Sequence, residues 1–257
     1  MLLVHGVQDH CRAWDPVARH FSDRYHVVAP DLRGHGDSQW AMGGSYAHVD
    51  HVYDIAQLVR AAALKPVTIV AHSLGGTLAT LFAGIYPDAV ARLIIVEGIG
   101  LWPGWSDDQD PAARIREWID GVWALSRRLP KRYESLEEAY QRMQVANPHL
   151  TPELAMHLTA HGSNQNEDGT FSWKFDNYTH QWPTYGITRE DTITIWKSIT
   201  APVLMINASD GFEHRIGQDG TLAHFRNAEV VDIKDAGHWV HHDQLDVFLA
   251  HADEFLN

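Results

Sequence analysis

Short apolar runs separated by turn residues recur along the first hundred positions. Residues 1–4, 25–29, 66–71 and 93–96 are each apolar or β-branched, without clean alternation. Unbroken runs of this length suit strands buried on both faces, as in a parallel sheet covered by helices. Stretches of helical length lie between them. Residues 50–64 place Val52, Ile55, Ala56, Val59 and Ala63 on one face at three- and four-residue spacing. Residues 74–85 read as a helix of small side chains that can approach a sheet closely. This alternation predicts a doubly wound α/β fold with a mostly parallel central sheet flanked by helices.

After Gly100 the pattern changes. Residues 111–129 carry Ile115, Trp118, Ile119, Val122 and Leu125 on one stripe. Ser135 with Glu138 three residues later forms a capping-box pattern. Thr151-Pro152 reads as a helix start that ends at Gly162. Residues 163–169 are polar and loop-like, and 171–185 are rich in aromatics. Strand logic resumes at 202–207 and 229–233. A helix from about Asp243 closes the chain, with Leu245, Phe248, Leu249, Ala252 and Phe255 on its inner face. The expectation is an α/β core over 1–100 and 201–257, interrupted by an inserted helical cap over 101–200.

Composition narrows the function classes. The chain has 257 residues, with 20 Lys+Arg against 33 Asp+Glu and a formal net charge of −13. Such a surface repels phosphate backbones and anionic headgroups, so neither nucleic acid nor a membrane surface is an expected partner. One cysteine, Cys11, forms no intramolecular disulfide and reads as inert. No stretch approaches the roughly 20 apolar residues of a membrane span. A cytoplasmic globular protein is expected.

The strongest chemical signal is Val70-Ala71-His72-Ser73-Leu74-Gly75-Gly76, between a strand and a helix. A turn this sharp strains its central residue, so the positions two either side must be small, and Ala71 and Gly75 are. Ser73 then stands at the tip, beside the N-terminus of the following helix. A serine nucleophile needs a base and a carboxylate to orient that base. With 18 histidines, composition cannot choose the base, but position can. His238, in Ala236-Gly237-His238-Trp239, follows the last strand and precedes the last helix. Asp210 follows the 203–208 run in the same way. All three residues then lie on loops at one edge of the sheet, where open α/β folds build their sites. His241 and His242 are rival bases or surface residues of the last helix. A metal cluster of His238, His241, His242 and Asp243 lacks a second ligand group at sensible spacing, so no metal is expected.

These motifs resemble the α/β-hydrolase superfamily, in the group of serine hydrolases with a helical cap. The matching segments are Leu3-Val4-His5-Gly6, Asp31-Leu32-Arg33-Gly34-His35-Gly36-Asp37-Ser38, Ala71-His72-Ser73-Leu74-Gly75-Gly76, Pro202-Val203-Leu204-Met205-Ile206 with Asp210, and Ala236-Gly237-His238. The resemblance implies a carboxylic ester hydrolase that works through an acyl-enzyme. Ser73 would be the nucleophile, His238 the base and Asp210 the acid. It also implies an oxyanion hole from the N–H groups of Val7 and Leu74, a small-molecule ester substrate, and no metal or organic cofactor. Glu97 is the alternative acid, because some related hydrolases keep their carboxylate after the 93–96 strand.

Trp239, Trp102 and His72 are the candidates for substrate contact, while His5 and His72 also read as supports of the site. The cap tryptophans 102, 105, 118, 123, 173 and 182 either pack or line an acyl pocket. Hydrolysis of carbon–carbon bonds, lactones or thioesters, perhydrolase chemistry, and a non-catalytic binding role on the same fold are the alternatives. The resemblance further implies an antiparallel hairpin ahead of the His-Gly strand, absent from this sequence. The edge at 25–29 is accordingly expected to have lost upstream residues or to be covered by another segment or by a second subunit, as in a homodimer.

Overall fold

The computed structural model describes residues 1–41, 46–98, 100, 101, 110–181, 186–218 and 220–257. Among these, five strands form one parallel sheet in the order β1 (Leu2–Val4), β2 (Val67–His72), β3 (Val90–Val96), β6 (Val203–Ala208) and β7 (Ala228–Ile233). Residues 26–28 run along the free side of β1, where Leu2 bridges Val28 and the Leu3 N–H donates to the Val28 carbonyl at 2.8 Å. The expected strand at 25–29 is therefore a single bridge and not a full ladder.

Both faces of the sheet are covered, which is why its strands read as continuous apolar runs. Leu2, Val4, Ile69, Leu93 and Met205 face α2 (His48–Ala61), α3 (Leu74–Ile85) and α7 (Arg189–Lys197), whose Ile55, Leu78 and Trp196 complete that layer. The intervening residues Leu3, Val70, Ile94, Leu204 and Ile206 face α1 (Asp15–Phe21) and α9 (Leu245–Leu256), meeting Phe21 and Phe248. Each such side chain taken from water stabilises the fold by about 1.5–3 kcal/mol.

The 101–200 span is less uniform than its sequence pattern. It contains α4 (Pro111–Ser126), α5 (Leu136–Ala146) and α6 (Pro152–Gly162), each opened by the side chain of its N-cap: Asp110, Ser135 and Thr151. It also contains a two-stranded antiparallel sheet, β4 (Ser163–Gln165) with β5 (Phe171–Trp173). The polar run between them turns at Gly169, whose φ of +86° only glycine adopts readily, and the Gly169 N–H donates to the Asn166 carbonyl. That run was expected as a loop. Its strands are three residues each, too short for alternation to mark them.

At the end of the span, α7 packs on α3: the Trp196 indole donates to Thr80 Oγ1 at 3.0 Å. A Cβ on Gly84 would lie 2.2 Å from the Ile195 carbonyl oxygen. This helix belongs to the core layer. The cap proper is tied down at several points. His10 Nε2 donates to the Leu158 carbonyl, the Asp176 N–H donates to the Gly34 carbonyl, and Tyr46 Oη donates to Asp176. A small apolar cluster of Ala13, Leu150, Ala155 and Leu158 sits beneath α5 and α6. By contrast, α4 buries none of its residues, and Ile115 and Ile119 on its expected inner stripe are exposed.

Candidate active site

The loop between β2 and α3 makes the turn that the small residues allow. Ser73 has φ +52° and ψ −119°, a conformation that costs a non-glycine residue on the order of 1–3 kcal/mol and must be held by its surroundings. The Ser73 N–H donates to the Val96 carbonyl, and the Ser73 carbonyl accepts from Gly76. The space around it is tight. A Cβ on Gly6 would lie 3.0 Å from the Ser73 Cβ, and one on Gly75 would lie 2.5 Å from the Val4 carbonyl oxygen. Glycine at both positions lets the 5–7 loop, the elbow and α3 meet.

His238 lies between β7 and α8 (Val240–Asp243). Its carbonyl accepts from His72 Nε2 at 2.9 Å, and its ring packs on Phe212 with centroids 3.9 Å apart. The carboxylate at its Nδ1 is Glu97, at 3.2 Å from Oε2. Asp210, the acid first expected from the sequence, is elsewhere: its side chain is 60% exposed and its nearest ionisable partner is His149, at 3.8 Å. The difference has a local cause. Glu97 follows β3 directly, at φ +50°, and its N–H still donates to Ile206 on β6. Its side chain is thereby turned inward with no exposed surface. Asp210 lies two residues past the end of β6, where its N–H donates to the Ala236 carbonyl and its carboxylate faces solvent.

Glu97 is unusually well partnered. Oε1 accepts from the Ala208 N–H at 2.6 Å and from Arg215 Nη1 at 2.7 Å, while Oε2 accepts from the Phe212 N–H at 3.1 Å. A buried carboxylate without such donors would be neutral. Arg215, Gly211 and Phe212 were not singled out in the sequence. A Cβ on Gly211 would lie 2.1 Å from Glu97 Oε2, so this glycine leaves room for the carboxylate. The one available signal was that Gly211 and Phe212 adjoin Asp210 at a strand's C-terminal end.

Several other histidines are buried, and some are held by backbone groups. His5 accepts from the Leu32 N–H at Nε2 and donates from Nδ1 to the Gly6 carbonyl, and burial pushes its pKa down to about 3. His72 donates to the His238 carbonyl, so its proton is on Nε2, and burial holds it well below the usual histidine range. His241 and His242, expected as surface residues or rival bases, are buried instead. The His241 ring stacks on Trp14 at 4.5 Å, and neither of its nitrogens has a hydrogen-bond partner among the described residues. Among the described residues no group of three or more His, Cys, Asp or Glu is arranged to hold a metal ion. Arg33 clamps Asp54 at 2.6 and 2.7 Å. Burial raises the Cys11 thiol to about 12, which leaves it unreactive.

Ser73 and His238 border one cavity of about 1040 Å³, roofed by the cap. Val7, His72 and Trp239 also line it, as do Trp173 and Tyr133 from the cap. Trp102, Trp105 and Trp182 lie outside the described residues. Trp123 is exposed and takes no part.

The sequence of residues 1–245 matches the profile of the family described as the alpha/beta hydrolase fold. The chain belongs to that family. Its relatives include Lipase LipV of Mycobacterium tuberculosis, 31% identical over 68% of this chain and 61% of that protein. A "Serine hydrolase-like protein" of Danio rerio is 26% identical over 82% of this chain and 65% of its own length. The chain thus spans less than two thirds of either relative. A solved structure, the hypothetical protein PA1622 from Pseudomonas aeruginosa, superposes with a TM-score of 0.85 at 21% identity, covering 100% of this chain and 91% of that one. As an α/β-hydrolase, the chain carries its elbow and its histidine loop at the sheet edge where this fold places its loops. Among the described residues no helix is long and apolar enough to cross a membrane.

Proposed function

We propose that the protein is a serine hydrolase of carboxylic esters, working through an acyl-enzyme with Ser73, His238 and Glu97. The observation that carries this reading is the hydrogen bond from His238 to the buried Glu97, with His238 and the strained Ser73 bordering the same cavity. Esterase- and lipase-like relatives support the ester class, among them a "Putative esterase/lipase" of Haemophilus influenzae that aligns with 100% of this chain at 22% identity.

The carboxylate accepts from Nδ1 of His238, which leaves Nε2 to take the proton of Ser73. The serine oxygen then attacks the ester carbonyl and the carbonyl electron pair moves onto oxygen. The N–H groups of Val7 and Leu74 are the donors for that oxyanion. Leu74 opens α3, so its N–H has no partner within the helix, and Val7 follows the glycine that admits the elbow. As the tetrahedral intermediate collapses, the C–O bond to the alcohol breaks and His238 returns its proton to the leaving oxygen. Water, deprotonated by the same imidazole, then attacks the acyl-serine and releases the acid. Glu97 accepts from Nδ1 and stabilises the imidazolium, with Arg215 and the backbone donors holding it in place.

Thioester, lactone and carbon–carbon bond hydrolysis use the same three groups and differ in substrate fit. A fluorophosphonate probe tests the common step. It is expected to label the wild-type chain and not Ser73→Ala; labelling that persists in the variant, or fails in the wild type, removes this reading. A panel of p-nitrophenyl esters, thioesters, lactones and vinylogous diketones then ranks the substrate classes.

A further inference from the structure

The cavity's charge does not follow that of the chain. The protein carries a formal net charge of −13, yet the only Lys, Arg, Asp or Glu side chains bordering the cavity among the described residues are three cations, Arg128, Lys131 and Arg142. They come from the cap: Arg128 and Lys131 from the connection between α4 and α5, and Arg142 from α5 itself. None has an ion-pair partner among the described residues, whereas their neighbour Arg132 is engaged by Asp168.

Lys131 is positioned by its surroundings. Its Nζ stands 4.7 Å over the ring of Tyr133. Tyr133 is itself buried, accepts at its hydroxyl from the Trp173 indole at 3.0 Å, and exchanges backbone hydrogen bonds with Phe171 in both directions. The lysine therefore rests on a fixed part of the cap hairpin.

We propose that this cavity selects carboxylic esters bearing an anionic group, carboxylate or phosphate, remote from the scissile carbonyl, with Arg128, Lys131 and Arg142 as its partners. The inference rests on the hydrolase reading of the same cavity and gives that reading a substrate class. Ser73 and His238 stand on the core side and the three cations on the cap side, so a substrate spanning the cavity meets both. The magnitudes favour local over global charge. At physiological salt the protein's net negative field is screened beyond about 8 Å, while a group inside the cavity meets the cations directly. Each cation is exposed and hydrated, so one alone contributes weakly. Three around one opening, with no carboxylate among the described residues that border it, focus a positive potential there.

The test compares matched esters on the full chain. One arm places the anion on the acyl side, mono-p-nitrophenyl adipate against p-nitrophenyl heptanoate. The other places it on the leaving group, 4-carboxyphenyl hexanoate against phenyl hexanoate. A preference of about tenfold in kcat/KM for the anionic member of at least one pair is expected, falling to about threefold in 0.5 M NaCl. In R128Q/K131Q/R142Q the same ratio is expected to fall to about one. The arm that shows the preference tells which side of the ester carries the anion. A carboxylate-tailed against an alkyl-tailed fluorophosphonate reads the same ratio from Ser73 modification alone, without requiring deacylation. A ratio of one or less in every pair, or a preference unchanged in the triple variant, overturns the inference while the hydrolase reading stands. Absence of both turnover and Ser73 labelling removes the hydrolase reading and this inference with it.

Discussion

The floor and the roof of the cavity are built in opposite ways. On the floor, Ser73 and Glu97 are almost wholly buried, both have positive φ, and the backbone N–H of each donates to a carbonyl of a neighbouring strand. In the roof, the charged side chains bordering the cavity among the described residues, Arg128, Lys131 and Arg142, are exposed, and α4, the helix just ahead of them in the chain, buries no residue. Strain and a buried carboxylate persist only where dense packing over-determines them, so the floor is where bond-making groups can be held to fixed positions. A solvated roof cannot hold such geometry. It can still sort substrates by charge and shape, since those effects tolerate small displacements. On the proposed mechanism and substrate class, chemistry and selectivity therefore fall to different layers of one molecule.

The largest effect that would break this contrast concerns the two carboxylates. Glu97→Gln is expected to lower kcat on a p-nitrophenyl ester by about 10³–10⁴-fold, the scale seen when a triad acid is neutralised in other serine hydrolases. Asp210→Asn is expected to stay within about threefold, because that carboxylate faces solvent and His149. Circular dichroism should accompany the kinetics, since Glu97→Gln also removes the ion-pair partner of Arg215. The reverse ranking would return the acid to Asp210.

Stability should divide along the same line. Leu78→Ala, in the fully buried layer of α3, is expected to cost about 2–5 kcal/mol in denaturant unfolding. Ile115→Ala on α4 is expected within about 0.5 kcal/mol, as its side chain is already half in water. Equal losses would show that α4 is packed as firmly as the core.

Smaller effects come from buried titratable groups beside the floor. His241 is fully buried between Trp14 and His72, and burial holds its pKa well below 6.5. A depressed histidine adds stability above its unfolded value that is lost as pH falls below it. His241→Phe removes one such group, and both orphaned nitrogens with it, so its melting temperature at pH 5 is expected about 2–4 °C above wild type, with a shallower acid slope. Asp9 works in the opposite sense. Burial raises it from 3.8 to about 7, so its contribution is fully present below about pH 4 and is lost as pH rises through 7. Asp9→Asn keeps an acceptor for the His10 N–H and is expected to lose less stability than wild type between pH 5 and 8. Thermal unfolding at both pH values checks the pair, and slopes indistinguishable from wild type would remove these groups from the account.

Much of the floor is legible residue by residue. The five apolar runs that become the parallel sheet, the helix at 74–85 and the serine at its head need only local pattern and the steric demand of a sharp turn. The cap was harder to read. Its helix starts are local and were visible at Ser135 and Thr151, but the strands of the β4–β5 pair, three residues each, are too short to show a period. The return to the core at α7 depends on Trp196 meeting Thr80, a contact between residues far apart in sequence.

The chain's pattern by itself determined the layer order, the elbow and the histidine loop, because burial periodicity and backbone sterics act over a few residues. Which carboxylate reaches His238 was decided by tertiary structure. Glu97 and Asp210 both follow strands, and only the inward turn at Glu97, the donors from Ala208, Phe212 and Arg215, and the space left by Gly211 separate them. The gathering of Arg128, Lys131 and Arg142 at one opening is likewise tertiary, since electrostatic fields sum over positions in space and not along the chain.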